Sequence, residues 1–374
     1  MNFRKTILAA ALSVGAGTAM AADKIPTLGE VLKASGIDVS GYIDVTYTNF
    51  STDSPLFQAY TTEKNAFNLN AADVAISSLP ASGFGGMVEM MAGEDPAFNA
   101  SKGWSTTNFD VLQAYAQYAG SGMTVLAGKF TTLAGAEVVQ ASLNTNISRS
   151  LLYTNAIPVT HTGLRGSYAP GDTMKFTVGY NNGWDVLKES ATTNCTTGGS
   201  CADGKTVELG ASLNPSKMFA LAASYYTGEE YSSTSNVIGD RKLLDVVATF
   251  NATDALTFVL NYDKAEQEKA TSTNKTAKWD GLAGYANYAF TDKWRGSLRT
   301  EKFKDKNCFR TTCAAGATAQ TIKETTLTAG YALAKNSELR AEYRTEKSDK
   351  KVYTEDGRTT DKQNMLALEV VYKF

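Results

Sequence analysis

A two-residue rhythm of apolar and polar side chains constrains this chain more than any other feature, and it is clearest at the C-terminus. Leu366, Leu368, Val370, Tyr372 and Phe374 fall on one face of an extended segment, with Glu369 and Lys373 on the other. Successive side chains of a strand point to opposite faces, so such a segment presents one face to an apolar medium and the other to water. Near the N-terminus Val39, Ile43, Val45 and Tyr47 alternate with Ser40, Asp44, Thr46 and Thr48. The same rhythm sets Leu256, Phe258, Leu260 and Tyr262 against Thr257, Asn261 and Asp263. It returns where Leu339, Ala341 and Tyr343 alternate with Glu338, Arg340, Glu342, Arg344 and Glu346.

The punctuation between these runs narrows the fold further. Short turn-like segments occur at 79–83, 119–122, 169–172, 214–217, 251–255, 291–293 and 334–337, each flanked by alternating runs. Longer polar stretches intervene near 51–63, 93–106, 131–159, 181–203, 228–239, 265–278, 304–320 and 347–362. A soluble β-sandwich would show the same alternation, but it has no need of short turns at one end and long loops at the other. The pattern predicts an all-β chain: a closed antiparallel transmembrane β-barrel of about 16 strands with short periplasmic turns and long extracellular loops. Closure is obligatory, because an open sheet edge in lipid leaves backbone groups unpaired at several kcal/mol each. The composition is consistent: 31 Gly, 18 Tyr and 16 Phe accompany only 7 Pro and a single His.

The N-terminus predicts export. Arg4 and Lys5 precede a short apolar run, and Ala19-Met20-Ala21 gives a small-x-small cleavage pattern. The expected organisation is a signal peptide at 1–21, a leader at 22–38 and the barrel at 39–374. Within the leader, Thr27 followed three residues later by Glu30 forms a capping box, and Gly36 provides a stop. These signals predict a short N-terminal helix, in the periplasm or in the barrel mouth.

Charge and cysteine content exclude several functions. The chain has a formal net charge of −2, and removing the signal subtracts two basic residues and no acids, so no basic footprint for nucleic acid remains. The four cysteines fall into local pairs, Cys195 with Cys201 and Cys308 with Cys313, both in small polar stretches. In an oxidising compartment these read as two loop-stapling disulfides. Neither pair is CxxC and the one His is remote, so no metal site or other cofactor is expected.

Several blocks resemble a known family. Gly41-Tyr42-Ile43-Asp44, Phe67-Asn68-Leu69-Asn70, Gly128-Lys129-Phe130, Asn146-Ile147-Ser148-Arg149-Ser150 and Asn182-Gly183-Trp184-Asp185 are similar to stretches of the β-barrel porin-2 (OmpL-like) family. So are Gly135-x-Glu137 and Ala156-Ile157-Pro158-x-x-His161-x-Gly163, and the terminal Tyr372-Lys373-Phe374 fits. The resemblance is densest from about 39 to 187. It implies a barrel of the Gram-negative outer membrane, surrounded by lipid and inserted by assembly machinery that reads Tyr372 and Phe374. It also implies a pore for small hydrophilic solutes or ions. A non-conducting surface or scaffold barrel, whose loops bind a partner, is the alternative, and either reading is compatible with a homo-oligomer.

Barrel size bears on function, because sixteen to eighteen strands leave an aqueous channel. Inward charges are then expected on the late strands, as a lumen wall of Arg295, Arg299, Glu301, Glu338, Arg340, Glu342 and Arg344. A constriction needs something narrower. The 131–159 loop is long and carries apolar patches at Val138-Val139 and Leu151-Leu152-Tyr153, which suits folding inward. Glu137 and Arg149 are its only charges, with Lys129 and His161 at its edges. These four are the candidate constriction residues, since few charges govern passage in a narrow site. Either Glu137 and Arg149 face the solute, or they fix the loop. A hydrolase would need His161 as base for Ser148 or Ser150, and no motif sets that geometry; no enzyme activity is expected. Tyr42, Tyr47, Tyr118, Tyr168, Tyr180, Tyr262, Tyr288 and Tyr372 are expected in the interfacial aromatic girdles.

Overall fold

Residues 27–99, 101, 107–188 and 204–374 are described by the computed structural model. The expected signal peptide at 1–21 lies outside the described residues. The chain opens with α1 (Leu28–Ala34), capped as the sequence predicts: Thr27 accepts from the Glu30 backbone, and the Glu30 carboxylate accepts from the Thr27 backbone. Gly36 follows in the left-handed region at φ 69°. No residue of α1 is buried, so the helix does not fill the lumen.

The strands run β1 (Asp38–Phe50), β2 (Ala66–Ser78), β3 (Gly83–Ala92), β4 (Phe109–Gly120), β5 (Met123–Thr131) and β6 (Thr160–Tyr168). They continue as β7 (Met174–Asn181), β8 (Thr206–Leu213), β9 (Phe219–Ser232), β10 (Val237–Asn251), β11 (Leu256–Gln267) and β12 (Ala277–Ala289). After β13 (Trp294–Asp305), β14 (Gln320–Ala334) and β15 (Ser337–Ser348), a small hairpin of β16 (Tyr353–Glu355) and β17 (Arg358–Thr360) precedes β18 (Lys362–Lys373). Every strand but the hairpin pair joins one closed barrel, and β1 pairs antiparallel with β18. The ring therefore has sixteen antiparallel strands, as the alternation predicts.

The side chains sort as the two-solvent pattern requires. Ile43, Val45, Leu366, Leu368 and Val370 are exposed on the outer face, while Asp44, Thr46 and Glu369 are buried inside. Turn chemistry fixes the tight end: Ser121 and Gly122 both take positive φ, the two-residue turn whose twist matches flanking strands. Closure leaves no room at Gly41, where a Cβ would lie 2.2 Å from the Asp73 carbonyl and 2.6 Å from the Phe374 ring.

Two expectations are corrected. The 228–239 stretch is mostly strand: β9 and β10 pair through Ser232 and Val237, leaving only residues 233–236 as a turn. Tyr42 is no girdle residue. Its register puts it on the inner face, 2 % exposed, whereas Tyr118, Tyr168, Tyr180, Tyr262, Tyr288 and Tyr372 are exposed outside.

The expectation of two disulfides is met in one of its halves. Cys308 and Cys313 are disulfide-bonded, with Cα atoms 5.8 Å apart. The other expected bridge, between Cys195 and Cys201, is not seen, because Cys195 and Cys201 both lie outside the described residues.

Candidate functional site

The third loop, L3 (132–159), does not stay at the rim. It is bounded by β5 and β6, and its buried residues include Val139, Ile147, Leu151, Leu152, Tyr153 and Ile157. Those apolar residues are what a segment needs to leave water and pack. Ser150 caps the helix α3 (Leu151–Asn155) by accepting from the Tyr153 backbone. Leu152 then sits against β12, where Gly281 leaves space for it: a Cβ there would lie 2.6 Å from Leu152 Cδ1.

L3 is held by the wall halfway around the ring from the strands that carry it. Arg299 on β13 donates from Nη1 to Glu137 (2.7 Å) and to the Ser148 carbonyl (2.8 Å). Its Nη2 donates to Ser148 Oγ at 2.9 Å. Glu342 on β15 accepts from the backbone of Ile147 (2.7 Å) and Ser148 (3.0 Å), and also from Ser148 Oγ. Glu301 accepts from the Leu151 and Leu152 backbone at 2.7 and 3.3 Å. Arg344 donates to the Arg149 carbonyl (2.5 Å), Arg340 to Ala141 (3.1 Å) and Arg295 to Thr145 (2.7 Å). Most of these bonds satisfy loop backbone groups that have no strand partner, which is what allows irregular backbone at membrane depth.

The expected charge wall is thus inward-facing, but most of it lies under the loop. Arg299, Arg340, Arg344, Glu301 and Glu342 are each at most 4 % exposed. Arg295 and Glu338 are partly open and pair at 2.5 Å. Across strands, Glu301, Glu324 and Glu346 stand in one row. Arg299 approaches Glu324 at 3.2 Å and Arg344 approaches Glu346 at 2.6 Å, so this acidic row carries its own counter-charges.

The four candidate constriction residues have other partners than one another. Glu137 accepts from Arg299 and from the Ser150 backbone (2.6 Å). Arg149 is buried and donates to three carbonyls of its own loop, Val138, Val139 and Ile147, at 2.8–3.0 Å. Its guanidinium also lies over the Tyr60 ring at 5.0 Å. Lys129 donates to both Asp110 oxygens, at 2.9 and 3.0 Å. His161 stacks on Tyr226 at 5.0 Å, with Nδ1 3.1 Å from the Gly183 carbonyl. Tyr226 in turn donates to Glu208 and accepts from the Leu133 backbone where L3 begins. Ser148 bonds Glu342 and Arg299, and Ser150 caps α3, so both hydroxyls serve the loop.

Neighbouring loops close over L3. Tyr60 of the 51–65 loop, 2.6 Å from the Tyr153 hydroxyl, also donates to Asn99 at 2.6 Å. Asp95, beside it, accepts from Asn70 (3.0 Å), and burial pushes its carboxyl up to about 7 despite that bond. From the disulfide-bonded loop, Arg310 donates to the Asn155 carbonyl at 2.6 Å and lies over Trp279 at 5.4 Å. Asp305 shapes that loop by accepting from the backbone of Phe309, Arg310 and Thr311. Trp279 Nε1 donates to the Ala156 carbonyl (3.1 Å).

Sequence reasoning missed as anchors Trp279, Arg310, Ser148 and Tyr42, whose hydroxyl accepts from the Ala141 backbone at 3.4 Å. The Asn146–Ser150 block was the available signal, since Asn146, Ser148 and the Arg149 carbonyl are the groups that meet the far wall. Among the described residues, no group of three or more His, Cys, Asp or Glu is placed to hold a metal ion.

The family described as "Putative beta-barrel porin-2, OmpL-like" matches residues 36–374. No curated protein sequence matches. Among solved structures, the outer membrane channel DcaP of Acinetobacter baumannii superposes with a TM-score of 0.62 at 16% identity, covering 90% of this chain and 97% of its own. An anion-selective porin from Comamonas acidovorans gives 0.62 at 11% identity, covering 90% and 99%. A loop-deletion form of the Vibrio cholerae outer membrane protein OmpT gives 0.61 at 13%, covering 90% and 99%. At these identities the likeness concerns the fold.

Proposed function

The chain belongs to the beta-barrel porin-2, OmpL-like family, a porin of the outer membrane, and on that premise we propose that it passes small hydrophilic solutes and ions by passive diffusion through a lumen narrowed by L3. The observation that carries this reading is the attachment of L3 to β13 and β15 by Arg299, Glu301 and Glu342, which fixes a loop inside the ring instead of above it. A sixteen-stranded barrel is wide enough to hold such a loop and still leave an aqueous path.

The path runs on the side of L3 that the clamp leaves free. Val138 and Leu143 are the large L3 residues left well exposed, at 42 % and 70 %. Facing positions of the β4–β11 wall, such as Gln117, Ser167, Ser212, Ala222 and Thr249, are mostly small or neutral and only partly covered, and Lys175, opposite Ser212, adds one exposed charge. Glu137 and Arg149 then act by holding the loop, and the passage itself is lined by few full charges. Such a lining predicts weak ion selectivity. Catalysis has no part in this reading.

A second reading, a non-conducting barrel whose loops bind a partner, is favoured by the apolar cluster of Phe57, Leu152, Tyr153, Trp184 and Trp279 in the loop half of the interior. Ion conductance of the purified protein in planar bilayers separates the two. Stepwise insertion of conducting units supports the pore; silence supports the scaffold.

A further inference from the structure

We propose that the outer face of β13–β15, at Lys302, Lys323 and Lys347, binds the phosphorylated headgroup of an anionic lipid in the leaflet nearest the long loops. The register sets Lys302 opposite Lys323, and Lys323 opposite Lys347. Three ammonium groups therefore stand in a row across three adjacent strands, all exposed. Directly opposed like charges destabilise a strand pair, because their Cβ atoms are only about 4.5–5.5 Å apart.

Counter-charge is sparse on this face: Asp280, opposite Lys304, pairs with Lys306. Among the described residues no carboxylate oxygen lies within 4.0 Å of Lys302, Lys304 or Lys323, and the partner of Lys347, Asp361, is 3.8 Å away with both side chains exposed. The inner face of the same strands shows the contrast: its glutamate row is met by Arg299 and Arg344. A row in which Lys302 and Lys323 lack an acidic partner is complete only with an anion from outside.

Depth and shape make that anion a lipid. Trp294 and Lys302 share the outer face of β13 and are separated by eight positions. At the usual strand rise and tilt this is roughly 20 Å along the membrane normal, close to the far edge of an apolar band about 25 Å tall. The lysines thus lie at headgroup level. Beneath them is a groove of about 590 Å³, lined by Leu260, Tyr262 and Leu282 and rimmed by Lys302, Lys304 and Lys323, with Asp280 as the one outward acid at its edge. An acyl chain fits the apolar floor and a phosphate fits the basic rim. On the other side of the ring, outward residues near the same ends of β2 and β4 are Phe67 and Phe109, both exposed and uncharged. The basic face is local.

The test uses the full-length barrel in phosphatidylcholine nanodiscs, titrated with a bisphosphorylated diglucosamine lipid. Retained lipid is counted by native mass spectrometry. The Lys302→Gln/Lys323→Gln/Lys347→Gln variant should bind about tenfold more weakly or worse, given the attraction each basic residue near an anionic surface contributes. Heat-modifiable gel migration of that variant should match the wild type, which shows that the barrel still folds. The Lys302→Arg/Lys323→Arg/Lys347→Arg variant and the remote Lys33→Gln variant should both retain wild-type affinity. Unchanged binding in the glutamine variant would overturn the proposal. So would inorganic pyrophosphate competing as well as the lipid does, which would assign the row to free phosphate. A fall in particle mass of the glutamine variant in neutral detergent would assign it to contact between copies, and would equally overturn it.

Discussion

Arg299 of β13 donates a 2.7 Å hydrogen bond to Glu137, a residue carried in by the loop that leaves the barrel wall on the opposite side of the ring. Both side chains are buried, and the guanidinium also holds the Ser148 carbonyl and hydroxyl. One wall residue thereby fixes two separate points of L3.

Breaking that contact should loosen the loop without dissolving the barrel. Removing one partner of a buried ion pair costs about 3–5 kcal/mol, because the other charge is left uncompensated. Arg299→Gln strands Glu137 together with Glu324, so it should lower the unfolding midpoint more than Glu137→Gln does. Midpoints from heat-modifiable migration on gels check the order; equal midpoints would count against the clamp.

Closure of the ring depends on a residue with no side chain. At Gly41 an added Cβ meets the Asp73 carbonyl and the Phe374 ring, and the carbonyl cannot retreat without opening the pairing of β1 with β2. Gly41→Ala should reduce the yield of folded barrel severalfold, read as the heat-modifiable fraction after refolding. Gly29→Ala, where nothing lies within 4 Å of the new Cβ, should leave the yield unchanged.

Asp95 gives the loops a pH dependence. Its carboxyl sits at about 7 in the folded protein because of burial, against about 4 for an unperturbed aspartate. Between those values the folded state binds the extra proton, so stability declines as pH rises from about 4 through 7. The contribution is fully present only below about pH 4. The packing of Tyr60 and Asn70 around Asp95 should therefore loosen above neutrality. Limited proteolysis of the 51–65 and 93–108 loops at pH 5 and pH 8 measures this, and Asp95→Asn should abolish the difference.

The Cys308–Cys313 bridge closes a ring of six residues, for which chain-entropy arguments give roughly 2 kcal/mol. Its effect should stay local. A Cys308→Ser/Cys313→Ser variant should expose the 306–319 loop to protease and release Arg310 from the Asn155 carbonyl. The barrel itself should unfold at nearly the wild-type temperature. For Cys195 and Cys201 the argument rests on their spacing and on an oxidising compartment alone. Peptide mapping without reductant should find these two linked to each other.

Much of the fold was legible because lipid imposes a local rule. Every second residue of Ile43–Tyr47 or Leu366–Phe374 must suit hydrocarbon, and seven short turns mark the strand pairs. That parts of L3 would be buried was also readable, from apolar residues such as Leu151 and Leu152 in a loop. Its attachment was not. Ser148 and Glu342 are 194 positions apart, and only the closed ring brings them together. Charges read as a lumen wall turn out to serve loop backbone for the same reason: alternation tells which face a side chain occupies, but not what lies against it. Tyr42 was misplaced because an inward tyrosine near a strand end looks like a girdle residue until its parity is set by Asp44 and Thr46. Residues 228–239 look like a polar loop, yet Glu229 and Asp240 are paired strand residues at the water-facing end of β9 and β10.

Single-channel conductance in planar bilayers tests the central claim most directly, comparing wild type with Arg299→Gln. A fixed L3 inside an open ring predicts steady ohmic steps for wild type, with larger and noisier steps once the clamp is cut. No conductance from folded wild-type barrels, or identical traces from the two proteins, would contradict it.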